Sequence, residues 1–234
     1  MTLPFFYAEN LESNTILLDE DTSKHISVLR LKKAEQILLI DGKGKKAKAN
    51  IIDDNRKKCM VEISSVQIEE EKKRKVAIGI SLIKNSSRFE WFLEKATEIG
   101  VSEIIPLICS RTEKQNFKYE RMNAILISAM LQSQQCWLPV LHQPTNFENI
   151  IESTKQEKKF IAHCLHEEKQ QLSSLINHLS SLILIGPEGD FTKEEIDLAL
   201  QNSFTPVSLG NTRLRTETAG IVAATLLNSG LSKI

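Results

Sequence analysis

The spacing of apolar and polar positions changes near residue 70 of this 234-residue chain. Before that point, short apolar runs follow one another at nearly regular intervals, which is typical of the strands of a small β-barrel. The predicted strands are Thr15–Leu18, Gln36–Ile40, Ala47–Ile52 and Met60–Ile63. Asp41-Gly-Lys-Gly44, between the second and third of them, is typical of a hairpin turn. The charged run Glu69–Lys75 is too polar for a core and is interpreted as a linker.

After this run, apolar segments with the period of strands alternate with segments that have the period of helices. The predicted strands are Val76–Leu82, Ile104–Ile108, Phe160–Leu165 and Leu182–Ile185. The predicted helices begin at a capping box over Ser87–Glu90 and end at Gly100, run from Tyr119 to about Gln135, and include Leu172–Leu179. This alternation predicts an α/β fold with a mostly parallel sheet that is covered by helices on both faces.

Two strand–loop–helix units close the chain, and their loops carry the candidate chemistry. The strand Leu182–Ile185 leads into Gly186-Pro-Glu-Gly-Asp190, and a capping box over Thr192–Glu195 opens the next helix. The loop has neither the GxGxxG pattern nor the P-loop pattern of phosphate sites. Its backbone N–H and C=O groups suit an uncharged, planar, hydrogen-bonding ligand such as an adenine ring.

The second unit follows Val207–Gly210 and contains Arg213, Arg215 and Glu217, which are side chains able to act on a substrate. Thr216 is predicted to cap a helix that carries Glu217 in its first turn and that Gly230 ends. This helix is apolar almost all round, which favours a deep core position or a subunit interface. We expect the two loops to lie side by side at the carboxyl ends of parallel strands, where open α/β sheets bind ligands.

Composition and charge exclude only a few classes of protein. The chain is 41% hydrophobic and 26% charged, its net charge is zero, and no apolar run approaches the roughly 18 residues of a membrane span. The N-terminus also lacks the pattern of a signal peptide, so a cytoplasmic protein is expected. Residues 22–58 nevertheless hold eleven basic and four acidic side chains, a local net charge of +7. This excess fits either a phosphate-contacting face or the solvated surface of a small β domain.

The four cysteines are scattered and show no metal-binding spacing. They are interpreted as reduced and mostly buried. His163-Cys-Leu-His166 could supply some metal ligands, but a complete set of four is absent from the sequence, and no metal is expected.

The loop motifs, together with upstream segments, resemble the SPOUT class of S-adenosylmethionine-dependent RNA methyltransferases. Within it they are most similar to the RsmE family, the 16S rRNA (uracil-1498-N3) methyltransferases. The matching upstream segments are His25–Lys32, Glu94–Val101 with Ile105-Pro106, and Ala129–Ser133 with Pro139. The chain departs from the family pattern at three places: Asp190 replaces a glycine, Gln135 stands where an arginine is usual, and Ala34-Glu35 replaces Gly-Asp.

The resemblance implies a fold, an activity and partners. It implies a PUA-like β-barrel for RNA binding over residues 1–70 and a SPOUT methyltransferase domain with a C-terminal trefoil knot over residues 71–234. The implied reaction is methylation of N3 of uridine 1498 in 16S rRNA, within the 30S subunit or its precursor. A homodimer through the knot and the C-terminal helix is also implied. The alternatives are a SPOUT enzyme with another RNA target and a non-catalytic RNA-binding assembly factor.

The resemblance also assigns roles to single residues. S-adenosylmethionine is expected to bind at Leu184, Ile185, Gly186, Pro187, Glu188, Gly189, Leu209, Gly210 and Leu214. RNA is expected at Arg30, Lys32 and Arg213. Arg215 is the candidate partner for the uracil anion or a phosphate. Glu217 is the candidate base, or the residue that orients Arg215, although a carboxylate in a first helical turn can also serve only the helix dipole.

Overall fold

A computed structural model describes residues 3–113, 116–165, 168–176 and 180–229. These residues form two compact units. The first contains the described residues up to Glu71 together with Ile127–Leu138, and the second contains Lys72–Leu126 with the described residues from Pro139 onward. No helix within the described ranges combines the length and the apolar character that crossing a membrane requires.

The first unit is built on a curled five-stranded sheet, a half-barrel. Its elements are β1 Phe5–Tyr7, β2 Thr15–Leu17, α1 Glu20–Val28, β3 Gln36–Ile40, β4 Lys45–Asp53 and β5 Met60–Ile68. The strand order is β1-β3-β4-β5-β2, with β1 parallel to β3 and the other pairs antiparallel. The four strands expected from the sequence are therefore confirmed, and β5 extends five residues beyond its predicted end.

The hairpin turn between β3 and β4 also receives the segment Ile127–Leu138. Gly42 O accepts a hydrogen bond from Leu138 N at 2.9 Å, and Gly44 N donates to Cys136 O at 3.0 Å. Gly44 has a φ of +93°, and a Cβ on it would lie 2.5 Å from the Trp137 ring. Glycine is required here because both its conformation and its close contact exclude a side chain.

The second unit is built on a parallel sheet. Its elements are β6 Lys75–Ser81, α2 Ser86–Ile99, β7 Glu103–Ile108, α3 Tyr119–Gln132 (whose last turns belong to the first unit), β8 Val140–Leu141, β9 Thr145–Asn146, α4 Phe147–Ser153, β10 Lys158–Ala162, β11 Gln170–Gln171, a 3₁₀ turn Leu172–Ser174, β12 Ser180–Ile185, α5 Lys193–Gln201, β13 Thr205–Ser208 and α6 Thr216–Ser229. The strand order is β11-β13-β10-β12-β6-β7-β8, with β9 paired to β7. The parallel α/β architecture is confirmed.

Helices cover both faces of this sheet, as the alternation predicted. On one face Leu182 and Leu184 of β12 pack in a cluster with Phe147 and Ile151 of α4 and Ile196 of α5. On the other face α6 packs against α2 and the sheet. A Cβ on Gly220 would lie 2.6 Å from the Phe92 ring, so glycine lets these two helices approach closely.

Two local predictions in this unit are wrong. Helix α2 is capped by Asn85, whose side chain accepts from Ser87 N at 3.0 Å, and not by a box starting at Ser87. The described part of Leu172–Leu179 is a single 3₁₀ turn, while residues 177–179 lie outside the described ranges. The division between the two units falls within the charged run Glu69–Lys75, between Glu71 and Lys72, where the linker was expected. The run is not wholly outside the core, because Arg74 is only 8% exposed and donates to Leu227 O at 2.6 Å.

Candidate functional site

Three loops at the carboxyl ends of parallel strands enclose a pocket of about 790 Å³. The loops follow β10, β12 and β13, and the lining also includes Arg88 from the first turn of α2. This volume lies in the range of small-molecule sites, roughly 300–1,000 Å³. The position at the strand ends is the one that open α/β sheets use for ligands.

The loops after β12 and β13 meet in this pocket, as expected, although their strands are not neighbours in the sheet. Strand β10 lies between their strands, and its loop contributes His163, Cys164 and Leu165 to the pocket. These residues were predicted to continue a strand because Phe160–Leu165 is largely apolar. The strand ends at Ala162, and the next three residues line the pocket.

Most of the predicted cofactor residues lie together in this pocket. The lining includes Ile185, Gly186, Pro187, Glu188, Leu209, Gly210 and Leu214. Leu184 is fully buried in the core beside them. Gly189 is outside the lining, and its carbonyl accepts from Arg111 Nη1 at 2.6 Å. The structure therefore brings seven of the nine residues to one cavity wall.

Thr216 joins two of the loops instead of capping its helix. Helix α6 begins at Thr216 itself, and the carbonyl of the preceding Arg215 accepts from Ala219 N at 2.8 Å. The buried Thr216 hydroxyl donates to Gly186 O at 3.0 Å. This bond connects the loop after β12 to the start of α6, and thereby fixes the backbone at Arg215. Gly230, the expected end of the helix, lies outside the described residues.

The candidate catalytic residues take different positions. Arg215 and Arg213 are exposed and line the pocket. Glu217 lies in the first turn of α6 as predicted, but it is only 7% exposed and is not part of the lining. Its carboxylate Oε1 lies 3.7 Å from Arg88 Nε, so the structure gives Glu217 a cationic partner that sequence reasoning missed.

Arg88 could not have been selected from the sequence alone. It lies among ordinary polar residues of a helix start, and its partner Glu217 is far away along the chain. Its placement follows from the Asn85 cap, which starts the helix one residue before Ser87 and puts Arg88 in the first turn. The pocket consequently contains three guanidinium groups, from Arg88, Arg213 and Arg215.

Two further polar side chains of the pocket, Lys169 and Cys164, belong to the segment that follows β10. Lys169 Nζ donates to His163 O and to Leu165 O, both at 2.7 Å. The pKa of the Cys164 thiol is raised, first by partial burial and next by the Asp190 carboxylate. Cys164 therefore stays protonated at neutral pH and forms a neutral wall of the pocket.

The predicted RNA contacts Arg30 and Lys32 belong to the first unit. Both are exposed, and Arg30 has a φ of +59° immediately after α1. Lys32 Nζ lies 3.4 Å from Asp54 Oδ2. Among the described residues, no group of three or more His, Cys, Asp or Glu side chains is placed to hold a metal ion, and His166 lies outside these residues.

Two protein-family models together match nearly the whole chain. A family model described as an RNA methyltransferase domain matches residues 70–228. A second, described as an RNA methyltransferase PUA domain, matches residues 18–64. Ribosomal RNA small subunit methyltransferase E of Synechocystis sp. is 31% identical over 210 residues, which cover 86% of this chain and 68% of the relative.

Solved structures share the complete fold. A probable rRNA-methyltransferase from Porphyromonas gingivalis superposes with a TM-score of 0.89 and 36% identity, covering 97% of this chain and 98% of the other. A ribosomal RNA small subunit methyltransferase E from Neisseria gonorrhoeae, bound to S-adenosyl methionine, gives a TM-score of 0.87 and 28% identity, with the same coverage.

Proposed function

The chain belongs to the RNA methyltransferase family that includes the ribosomal RNA small subunit methyltransferase E proteins, and we propose that it methylates N3 of uridine 1498 in 16S rRNA, with S-adenosylmethionine as the donor. The observation that carries this proposal is the pocket formed by the three strand-end loops, with Arg213 and Arg215 on the loop after β13. A relative with the same fold is bound to S-adenosyl methionine, which supports the choice of donor.

The lining of the pocket fits this donor. Pro187, Leu209 and Leu214 offer apolar surface for an adenine ring, and the glycine-containing loops offer backbone hydrogen-bonding groups for its polar edge. Gly186 and Gly210 keep the loops free of side chains where the backbone is to contact the ligand. When bound, S-adenosylmethionine supplies a methyl group that is already electrophilic.

Arg215, which lines the pocket, and Glu217, two residues further along the chain, would act on the uracil. Uracil N3 is a weakly acidic imide and attacks well only after losing its proton. The Arg215 guanidinium would stabilise the negative charge that then spreads over O2 and O4. The N3 proton would pass to Glu217 or to solvent before the attack, and the N3–methyl bond would then form as the sulfur–methyl bond breaks. Correct placement of the two reactants can lower the barrier by roughly 7–11 kcal/mol.

Arg88 gives Glu217 an alternative role. The ion pair with Arg88 holds the Glu217 carboxylate at the start of α6, two residues after Arg215. In this role Glu217 would not receive the proton but would fix the helix start from which Arg215 projects. The two roles predict different pH dependences of methyl transfer in Glu217 variants.

The proposal extends to the domains and their assembly. Residues 1–70 are assigned to a PUA-like RNA-binding domain, and residues 71–234 to a SPOUT domain with a C-terminal trefoil knot; the family matches at 18–64 and 70–228 support this division. We also propose a homodimer through the knot and α6. Ile221, Val222 and Leu226 of this helix remain partly exposed, which supports an apolar partner surface there. As an rRNA-modifying enzyme it is assigned to the cytoplasm.

Methyl transfer to ribosomal RNA tests the proposed function directly. The protein is expected to transfer tritiated methyl groups from S-adenosylmethionine to 30S subunits taken from cells that lack it. Mass spectrometry of the digested RNA should identify 3-methyluridine at one position. A different methylated nucleoside would indicate another target, and cofactor binding without transfer to 30S subunits or to free 16S rRNA would contradict the proposed reaction.

The basic face of the first unit is expected to contact RNA phosphates. Arg30→Gln and Lys32→Gln should each weaken RNA binding and reduce the slope of log affinity against log salt by about one unit or less, because each removes one phosphate contact. The affinity for S-adenosylmethionine should not change. Lys193→Gln, a charge removal on α5 outside the pocket, is the matched control. Salt slopes equal to the control in both variants would mean that this face is only solvated surface.

A further inference from the structure

Asp190 occupies a strained position at the end of the loop after β12. Its φ is +63°, in the left-handed region that glycine enters most easily and that Asp and Asn tolerate better than other residues. Asp190 N donates to Pro187 O at 2.9 Å, which closes the turn. Residues in sparsely populated backbone conformations cluster at functional sites, and Asp190 lines the pocket.

The Asp190 carboxylate reaches from its own loop to the neighbouring one. Oδ2 accepts a hydrogen bond from Cys164 N, in the loop after β10, at 2.7 Å. Oδ1 accepts from Phe191 N at 2.9 Å. Asp190 and Cys164 both line the pocket. The bond to Cys164 therefore joins two of the three loops that form the pocket wall.

Both ends of this bond are held by their surroundings. Arg111 Nη1 donates to Gly189 O at 2.6 Å, so the loop that carries Asp190 is braced from outside the pocket. On the other side, Lys169 holds the carbonyls of His163 and Leu165. The Cys164 N–H lies between these two carbonyls along the chain, and it is the group that donates to Asp190 Oδ2. The spacing of the two loops consequently depends on the carboxylate that links them.

We propose that Asp190 is a positioning residue for the cofactor, because it sets the spacing of the loops after β10 and β12 between which S-adenosylmethionine binds. This inference rests on the proposed function. Asp190 does not act on the reacting atoms. If its carboxylate only stabilised its own turn, its loss would lower the stability of the protein without changing the affinity for the cofactor.

Asp190→Gly removes the carboxylate and leaves the backbone in a conformation that glycine adopts readily. The variant is expected to bind S-adenosylmethionine about tenfold more weakly in isothermal titration, since a hydrogen bond to a charged acceptor is lost. The KM for the cofactor should rise by a similar factor. The KM for RNA and the kcat at saturating cofactor should stay within about twofold. A merely structural residue would not produce this separation.

Asp190→Asn is the conservative variant, because its amide oxygen can still accept from Cys164 N and Asn tolerates a positive φ. It should restore cofactor affinity to within about threefold of wild type. Asp197→Asn, which changes a partly exposed carboxylate on α5 outside the pocket, should leave affinity unchanged. Thermal melts of all variants establish that they are folded.

The outcomes separate this inference from the proposed function. If wild-type protein does not bind S-adenosylmethionine, the proposed function fails. If wild type binds and Asp190→Gly binds equally well, the function stands and the positioning role is wrong. If Asp190→Gly fails to fold while Asp190→Asn folds, the side-chain acceptor is structural and the positioning role is likewise overturned.

Discussion

Replacing Arg215 by alanine is expected to slow methyl transfer by about 10²-fold or more while changing the affinity for S-adenosylmethionine by only a few fold. Arg215 is exposed in the pocket, and its backbone is fixed at the start of α6. Stabilising the uracil anion is an electrostatic task of the guanidinium group, so the defect of Arg215→Ala should be the same at every pH of the assay. Loss of one group that stabilises developing charge typically costs this much in rate.

Single-turnover methylation of 30S subunits at saturating cofactor measures this effect. Arg121→Ala is the matched control, because Arg121 forms an ion pair with Glu90 of α2 and lies outside the pocket. It should turn over at the wild-type rate. A wild-type rate for Arg215→Ala would mean that this loop has only a structural role and that the site assignment is wrong.

The same experiment, repeated across a pH series, distinguishes the two roles of Glu217. If Glu217 is the base, the defect of Glu217→Gln should shrink as pH rises, because solvent then supplies the deprotonated imide. If it positions Arg215 through the ion pair with Arg88, the defect should be independent of pH. In that case the Arg88→Ala, Glu217→Gln double variant should be little worse than either single variant, and Arg88→Lys should restore part of the rate.

Gly210→Val is expected to weaken S-adenosylmethionine binding by about 10²-fold or more while the protein remains folded. Gly210 has a φ of +140°, which a β-branched residue rarely adopts, so valine would force the loop after β13 into another conformation. A Cβ at this position would meet no atom within 4 Å, and therefore the core is not disturbed. The effect should fall on the pocket alone.

Isothermal titration and thermal melts together test this expectation. Thr15→Val is the control, because it introduces the same side chain at an exposed position of β2 outside the pocket lining. Gly186→Val is less informative, since its Cβ would lie 3.1 Å from the buried Phe191 and the change would also strain the core. Unchanged affinity in Gly210→Val would place the cofactor elsewhere.

Several elements were predictable because their signals lie within a few residues of one another. Gly100 ends α2 with a φ of +89°, as a glycine after a helix should. The box over Thr192–Glu195 is formed in both directions, with bonds of 3.2 and 2.8 Å. The apolar run Leu182–Ile185 is a fully buried strand. In each case short-range hydrogen bonding or burial alone selects the structure.

The α/β alternation, the loops that carry the chemistry and most of their pocket residues follow from patterns that span only a few residues. Three other features depend on contacts between distant parts of the chain: β10 lies between β12 and β13, Ile127–Leu138 belongs to the first unit, and Arg88 pairs with Glu217. The physical reason is that apolar runs can pair in many orders with similar local energies. The order that is adopted depends on burial and hydrogen bonding summed over the whole sheet, which no short segment contains.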